Sequence, residues 1–231
     1  MHRIAITGDI HSNIYALSEF MNYIEDNEIK YVLNLGDFLQ FGPHPCEVFD
    51  TVMDDRRFVN ILGNNDYSLI KRDLADFKQL EKEHQEWVIK NLGEKRINRL
   101  KGVPKEKTFE ITGKRFKMVH SRFSSMVDMP LLYQDKGLME FLSDYGCEAD
   151  YILFGHTHLA LYIESWQYKP VISPGSLGCS ADGTAKFIVI EMDGDVFNLT
   201  YKHLKYDRNK VLNDLEMFDV PDRERIVRTF F

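Results

Sequence analysis

Short clusters of histidine, aspartate and asparagine recur along this chain, and each follows an apolar run typical of a strand. They contain seven side chains that can bind metal ions: Asp9, His11, Asp37, Asn64, His120, His156 and His158. Oxygen donors mixed with imidazoles suit divalent ions such as Mn²⁺, Fe²⁺, Zn²⁺, Co²⁺ or Ni²⁺. We expect two ions, with Mn²⁺ favoured. Two ions about 3.5–4 Å apart clamp a phosphate and activate a water, so the pattern predicts phosphoester hydrolysis.

The positions of the oxygen donors indicate that they share one crevice. Asp9, Asp37 and Asn64 each come within a few residues of the end of a predicted strand. The carboxyl ends of parallel strands border the crevice in which open α/β sheets bind ligands. A single polar residue at a strand end is common in any loop, so the prediction rests on all five clusters occurring together.

An alternation of strands and helices in the first part of the chain predicts a parallel sheet. Beyond about residue 100 the chain becomes rich in strands, with a hairpin signal at Gly113-Lys114, which predicts an antiparallel or mixed sheet. Two sheets packed face to face with helices outside give an α/β fold, a four-layer α/β/β/α sandwich. The predicted strands span residues 4–6, 31–35, 58–62, 108–111, 116–120, 151–154, 161–166, 171–173, 187–191 and 196–201.

The length of 231 residues fits a single domain covering residues 1–231. Residues 69–100 show a highly charged helical pattern, which we interpret as a helical insert near the site. A C-terminal tail at about 205–231 ends in Phe230 and Phe231. These two rings are candidates to dock on the body of the chain or on a second subunit, so a homo-oligomer is an open alternative.

Composition narrows the possible partners and the compartment. The net charge of −7 argues against non-specific binding to nucleic acid, which depends on neutralising phosphates. No apolar stretch is long enough to cross a bilayer, so no membrane contact is expected. The three cysteines are widely spaced, and the chain enters a strand at once instead of a signal peptide. We therefore expect a cytoplasmic protein with a small phosphoester or nucleotide as its substrate.

The ordered motifs DxH, GD, GN, H and GHxH resemble those of the calcineurin-like metallophosphoesterase superfamily, in particular its small bacterial and archaeal phosphodiesterases. The resemblance spans roughly residues 4–190. It implies that the first ion is bound by Asp9, His11 and His158. It implies that the second ion is bound by Asn64, His120 and His156. Asp37 would bridge both ions, and a bridging hydroxide of lowered pKa would be the nucleophile.

One motif departs from the family pattern. Family members usually read GNH followed by Asp or Glu, and this His is thought to protonate the leaving oxygen, whereas this chain has Asn65 and then Asp66. Asn65 cannot supply a proton, and a general acid contributes about 10²–10⁴-fold. Poor alkoxide leaving groups should therefore suffer most. We expect Asp66 to position a water or Asn65.

Other polar residues carry weaker predictions. Arg122, two residues after His120, is our candidate for holding phosphoryl oxygens, although a surface charge is the plainer interpretation. His44 could line the substrate pocket or lie in a surface loop. Ser176 is expected to hydrogen-bond a neighbour of the metal ligands, and Cys179 to be a packing residue. Three further histidines are expected to be solvated: His2, His84 and His203.

These observations favour a metal-dependent phosphodiesterase that acts on a small phosphoester. The nearest alternative is a phosphomonoesterase, or a hydrolase of nucleotides or dinucleoside polyphosphates. A third alternative is a non-catalytic protein-binding scaffold, as in the retromer subunit that resembles these enzymes. The complete set of ligands argues against a scaffold, and only Asn65 favours it.

Overall fold

The chain forms two five-stranded sheets that pack against each other and carry helices on their outer faces. The computed structural model describes residues 2–72, 77–122, 128, 132, 134–145, 149–165, 168–193 and 196–231. The strands are β1 (His2–Thr7), β2 (Tyr31–Asn34), β3 (Phe58–Asn60), β4 (Glu106–Ile111), β5 (Lys114–Val119), β6 (Tyr151–Phe154), β7 (Ala160–Ser165), β8 (Tyr168–Pro174), β9 (Thr184–Asp193) and β10 (Val196–Lys205). The helices are α1 (Ile14–Asp26), α2 (Pro45–Asp54), α3 (Asn64–Lys71), α4 (Gln79–Leu100), α5 (Asp135–Ser143), α6 (Arg208–Met217) and α7 (Arg223–Phe230).

The strand order confirms the predicted four-layer α/β/β/α sandwich. The first sheet has the order β10-β9-β1-β2-β3, and the second has the order β4-β5-β6-β8-β7. In the first sheet β1, β2 and β3 are parallel, while β9 and β10 are antiparallel neighbours. In the second sheet β5, β6 and β8 are parallel, while β4 and β7 form antiparallel edges.

The sheets differ from the sequence prediction in one respect. The strand-rich second half was expected to contribute its own sheet, but β9 and β10 join the first sheet beside β1. The reason lies in β9, which buries Phe187 and Val189 on one face and Ile188 and Ile190 on the other. A strand that is apolar on both faces needs a central position in a sheet covered on both sides.

Side-chain alternation divides the strand residues between two cores. Successive side chains of a strand point to opposite faces, so in β1 Ile4 and Ile6 face the second sheet while Ala5 faces the helices. Phe116 of β5 and Leu153 of β6 meet Ile4 and Ile6 from the second sheet. This apolar contact holds the two sheets face to face, so that loops from both can reach one site.

Helices cover the outer face of each sheet. On the first sheet, Phe20 of α1 contacts Phe187 edge to face with ring centroids 4.9 Å apart. On the second sheet, Phe141 of α5 packs against Phe154 of β6 with centroids 5.6 Å apart. Within the described part of the chain, no helix combines the length and apolar character that a membrane span requires.

The segment predicted as a helical insert, residues 69–100, contains the last residues of α3 and all of α4, and residues 73–76 within it lie outside the described residues. Helix α4 packs on the helical layer of the first sheet through Val88 and Leu92. Arg96 of α4 also forms two charged hydrogen bonds with Asp50 of α2, with N–O distances of 2.8 and 2.6 Å, which hold α4 against α2.

The C-terminal tail packs on the helical layer of the first sheet. Val211 and Leu215 of α6 and Ile226 of α7 are buried in the core of the first sheet, and Phe231 is 3% exposed. The structure thus places the terminal residues on the body of the chain. The boundaries of the insert and tail, and the single-domain organisation, stay predictions.

Candidate metal centre

Loops at the carboxyl ends of five strands bring the seven predicted ligands together. From the first sheet, Asp9 follows β1, Asp37 follows β2 and Asn64 opens α3 after β3. From the second sheet, His120 follows β5, and the histidine pair of GHxH follows β6. Backbone hydrogen bonds join the first two loops: the amide of Asp9 donates to Gly36 at 2.9 Å, and the amide of His11 donates to Asp37 at 3.0 Å. The site therefore spans both sheets.

One group of donors consists of His11, His158 and Asp9. The Nε2 atoms of the two imidazoles lie 3.1 Å apart, and Nε2 of His158 lies 3.4 Å from Oδ1 of Asp9. Ligand atoms bound about 2.1 Å from one ion are themselves about 3–3.5 Å apart. The spacing of these atoms is therefore that of donors arranged around a common ion.

A second group lies on the other side of Asp37. Nε2 of His120 is 3.0 Å from Oδ1 of Asn64, and Nδ1 of His156 is 2.9 Å from the same oxygen. Oδ2 of Asp37 lies 3.2 Å from Nε2 of His120 and 4.0 Å from Nε2 of His11. One carboxylate thus reaches both donor groups, in the arrangement that the family resemblance implies.

Backbone carbonyls orient two of the imidazoles. Nδ1 of His120 lies 2.7 Å from the carbonyl oxygen of Leu35, and Nδ1 of His11 lies 3.2 Å from that of Leu39. A carbonyl can only accept, so in each ring Nδ1 carries the hydrogen and Nε2 is free to face the cluster. Such partners fix the tautomer of metal-binding histidines.

Five of the seven predicted ligands have a left-handed backbone. Positive φ is uncommon for residues other than glycine, and clusters of such residues mark functional sites whose surroundings fix the strained conformation. The φ angles are 52° at Asp9, 48° at His11, 52° at Asp37, 68° at His156 and 58° at His158.

The turn after β8 helps to hold the left-handed backbone at Asp9. Ser176 was expected to hydrogen-bond a neighbour of the metal ligands, and the structure places it on a predicted ligand itself. Its Oγ donates to the backbone carbonyl of Asp9 at 2.8 Å, and the amide of Gly178 donates to the same oxygen at 3.0 Å. A Cβ at Gly178 would lie 1.8 Å from the carbonyl oxygen of Ile10, so only glycine allows this approach.

The burial and charge of the donors fit divalent cations. Asp9, His11, Asp37 and His120 are each at most 2% exposed, and Oδ2 of Asp9 has no hydrogen-bond partner among the described residues. A buried carboxylate oxygen without a partner is costly, and a cation would satisfy it.

The pKa values of the buried groups indicate where positive charge is favoured. Burial opposes a charge on His120, but the carboxylate of Asp37 outweighs it and raises the pKa of His120 to about 9. Burial also disfavours the charged form of Asp37, yet His120 and His11 hold the pKa of Asp37 well below its usual range. For His11 burial prevails and lowers the pKa to about 4, leaving a neutral ring able to bind a cation. The site thus favours a positive charge beside an ionised Asp37.

The two residues at the position of the usual family pair, Asn65 in place of the histidine and the acid Asp66, have different surroundings. The side-chain Nδ2 of Asn65 donates to Oδ2 of Asp37 at 2.6 Å, and the backbone amide of Asn65 donates to Oδ1 of Asp37 at 2.8 Å. Whether Asp66 positions a water or Asn65 stays a prediction. Asp66 is fully buried and accepts from the amides of Gly63 at 3.0 Å and Leu39 at 3.1 Å. As the third residue of α3 it caps that helix, and burial followed by the charge of Asp37 raises its pKa to about 7.

Arg122 and His44 bind other parts of the chain. Nε of Arg122 lies 2.8 Å from Asp144, and its NH1 group pairs with Glu140, so two carboxylates occupy the guanidinium. Whether Arg122 also holds phosphoryl oxygens stays a prediction. His44 is 8% exposed, so it is not a surface residue, and its Nε2 lies 3.0 Å from Asp214 of α6. It joins the tail to the loop after Asp37.

Two predictions about buried side chains have opposite outcomes. His84 was expected to be solvated but is 2% exposed, because Phe41, Trp87 and Pro221 surround its ring. Cys179 was expected to be a packing residue, and the structure agrees, since burial raises the pKa of its thiol well above the usual value. The thiol nevertheless lies close enough to two predicted ligands, His11 and His158, to form a possible donor group with them.

Two aromatic residues, Phe41 and Phe230, lie beside the first donor group, a position that was not predicted for either. The ring centroid of His11 lies 4.8 Å from that of Phe41 and 5.9 Å from that of Phe230. Phe230 also lies 5.8 Å from His158. The pair of terminal phenylalanines was the only signal in the sequence, and it did not indicate which surface they cover.

Comparison with known proteins agrees with this geometry. The model of the calcineurin-like phosphoesterase superfamily domain matches residues 2–195, and the chain belongs to this family. The family implies a hydrolase of phosphoesters that binds divalent metal ions, and the donor groups described above are candidates for that role.

Three similar proteins illustrate the relationship. The uncharacterized protein MJ0912 of Methanocaldococcus jannaschii is 25% identical over 235 residues, which covers 95% of this chain and 94% of that protein. A hypothetical protein of Pyrococcus horikoshii OT3, PH1004, shares the fold with a TM-score of 0.83 at 18% identity, covering 99% and 97% of the two chains. A metallophosphoesterase from Sphaerobacter thermophilus has a TM-score of 0.75 at 19% identity, covering 98% and 97%.

The donor groups predict that divalent cations stabilise the folded chain. Adding Mn²⁺ to metal-stripped protein at about 100 times its dissociation constant should contribute about 2.7 kcal/mol, which raises Tm by about 5–10 °C for a domain of this size. Asp9→Asn should remove most of this shift, because it removes a charged donor. Differential scanning calorimetry measures it.

The control for that experiment is Asp26→Asn, at the exposed end of α1, which makes the same change of charge away from the cluster. It should keep the full shift. An equal shift in the Asp9→Asn and wild-type proteins would exclude Asp9 as a ligand.

Proposed function

We propose that this protein is a metal-dependent phosphodiesterase that hydrolyses a small phosphoester at a site for two divalent ions, with Mn²⁺ the favoured metal. The observation that supports this most directly is the position of Asp37, whose Oδ2 lies 3.2 Å from His120 in one donor group and 4.0 Å from His11 in the other. A carboxylate between two sets of donors is what a two-ion site requires.

The roles of the ligands follow from the two donor groups. The first ion would be held by Asp9, His11 and His158, together with Asp37. The second would be held by Asn64, His120 and His156, again with Asp37. When bound, such ions supply a water of lowered pKa and neutralise the phosphoryl oxygens.

No side chain of the site needs to act as a covalent nucleophile. Cys179 is buried and the pKa of its thiol is raised, so it is a poor source of thiolate. The hydroxyl of Ser176, which donates to the carbonyl of Asp9, also accepts from the backbone amide of Cys179, so it is held by backbone groups on both sides. This supports direct in-line attack by water on phosphorus.

The hydrogen bonds of Asn65 bear on which esters react. Its side-chain amide donates a hydrogen bond to Asp37, but an amide is not an acid and cannot transfer a proton to a leaving oxygen. Asn65 therefore contributes by holding the bridging carboxylate in place. A leaving group that departs as a stable anion needs no acid, so we expect substrates whose leaving group has a low pKa.

The ion pairs of Arg122 favour a diester over the alternatives. A phosphomonoester or a polyphosphate carries more negative charge than a diester and needs more cationic partners. Arg122, the predicted partner, is already paired with Asp144 and Glu140. The complete ligand set argues against the third alternative, a protein-binding scaffold.

Hydrolysis of bis(4-nitrophenyl) phosphate beside 4-nitrophenyl phosphate tests the proposal. Metal-stripped protein refilled with Mn²⁺ should turn over the diester faster than the monoester. Asp37→Asn should reduce diester turnover by about 100-fold or more, because loss of even an outer partner of a metal ligand costs about 10–100-fold. The control is again Asp26→Asn, which should retain the wild-type rate.

Two results would contradict the proposal. A protein that binds two ions for each chain but hydrolyses neither compound would argue against a phosphodiesterase and in favour of the scaffold. A monoester turned over faster than the diester would favour the phosphomonoesterase.

Because residue 65 is Asn and not a histidine acid, a substitution at this position gives a separate prediction. Asn65→His should raise the rate of hydrolysis of a dialkyl phosphate, which has an alkoxide leaving group, by about tenfold or more. The reason is that a general acid contributes about 10²–10⁴-fold where it is needed. The rate for a nitrophenolate leaving group should change little. Asn65→Ala is the comparison, since it removes the contact with Asp37 without adding an acid. An equal effect of Asn65→His on both classes would contradict this account of residue 65.

A further inference from the structure

Four aromatic rings form a nearly parallel column that begins beside the first donor group. Phe230 stacks on Phe41 with centroids 4.3 Å apart and an angle of 17° between the ring planes. Phe41 is followed by His84 at 5.9 Å and 23°, and His84 by Trp87 at 6.4 Å and 21°. The column thus joins the C-terminal helix α7, the loop after β2 and helix α4.

Hydrogen bonds on both sides of His84 fix the column in place. The amide of Phe41 donates to Nε2 of His84 at 3.0 Å, so Nδ1 carries the hydrogen and donates to the carbonyl of Pro221 at 3.2 Å. Burial lowers the pKa of His84 to about 4, which keeps this ring neutral. Arg225, whose charge acts on His84, is paired with Asp222 and Glu81.

The end of the column borders the predicted ligands. Phe230 lies 5.9 Å from His11 and 5.8 Å from His158, measured between ring centroids. The side chain of His11 is fully buried, whereas that of His158 is 24% exposed. Phe41 and Phe230 are both half-buried residues. The column therefore ends at the side where the donor cluster opens to solvent.

We propose that Phe41 and Phe230 form a subsite that binds a planar aromatic group of the phosphoester, on the side of the site where His11 and His158 lie. This inference rests on the proposed function and adds the class of substrate. A phosphate held by the donor groups carries its ester substituents within a few ångströms, and the substituent on this side meets apolar ring surface. Aromatic pairs contribute about 0.5–1.5 kcal/mol beyond the burial of their area.

The chemistry of the column distinguishes an aryl group or nucleobase from a further phosphate. Phe230 and Phe41, the two rings of the column nearest the donor groups, are apolar and uncharged, and the buried His84 behind them is neutral. A polyphosphate chain on this side would lose hydration without gaining a cationic partner. A planar uncharged group gains contact with the rings.

Two diesters that release the same leaving group test the subsite: bis(4-nitrophenyl) phosphate and methyl 4-nitrophenyl phosphate. They differ only in the group that stays on phosphorus. The wild-type protein loaded with Mn²⁺ should have the higher kcat/KM for the aryl compound. Phe230→Leu and Phe41→Leu should each reduce the ratio of the two kcat/KM values by about 3- to 10-fold, mainly through KM. Phe230→Tyr, which keeps the ring, should preserve the ratio.

The control variant is Phe218→Leu, which removes an exposed aromatic ring of the same tail that packs on His44 instead of the ligands. It should leave the ratio unchanged. Calorimetric binding of phenylphosphonate and methylphosphonate gives a second readout that needs no turnover. The preference for phenylphosphonate should fall in both leucine variants, while the metal content stays at the wild-type level.

An unchanged ratio in folded Phe230→Leu and Phe41→Leu proteins would overturn the subsite, as would an equal loss for both diesters, which indicates a purely structural role. Failure of the proposed function has a different signature, because the wild-type protein would then hydrolyse neither diester. In that case phosphonate binding alone decides: a phenyl preference that is lost in the leucine variants supports the subsite, and one that is retained overturns it.

Discussion

The carboxylate of Asp37 is the contact on which the two halves of the site depend. It comes from a loop of the first sheet, yet it lies beside His120 of the second sheet as well as His11 of the first. Its surroundings leave little freedom: Asn65 donates to both of its oxygens, and a Cβ at Gly63 would lie 1.9 Å from its Oδ1. A position so closely determined allows one buried charge to serve two groups of donors.

The packing of the sheets makes this contact possible. Apolar residues of both sheets meet in the central core, with Ile4 and Ile6 on one side and Phe116 and Leu153 on the other. This contact fixes the distance between the loops that follow the strands. The left-handed backbone at five predicted ligands is then held by the turn after β8 and by hydrogen bonds between loops. Folding energy from the cores thus maintains strained loops at the site.

The clustering of the seven predicted ligands and the layers of the fold could be predicted from sequence because both follow local rules. Polar residues at the ends of apolar strands identify the crevice, and side-chain alternation identifies the sheets. The surroundings of Asp66 and His84 could not be predicted in this way. Asp66 binds the amide of Leu39, 27 residues away, and His84 binds Phe41 and Pro221, which are 43 and 137 residues away. Such contacts arise only when distant segments pack together.

The C-terminal tail shows the same limit. Its two terminal rings were visible in the sequence, but the position of Phe230 beside His11 and His158 depends on how α7 packs over the first sheet. Helix α4 meets the tail there through His84, so two segments outside the strand-end motifs border the site. The core of the family fold provides the donors, and these added segments shape what lies next to them.

Anomalous diffraction from crystals loaded with Mn²⁺ would show directly whether Asp37 lies between two ions. We expect two anomalous peaks about 3.5–4 Å apart on opposite sides of the Asp37 carboxylate. One peak should be surrounded by Asp9, His11 and His158, and the other by Asn64, His120 and His156. A single peak, or two peaks that do not share Asp37, would contradict this expectation.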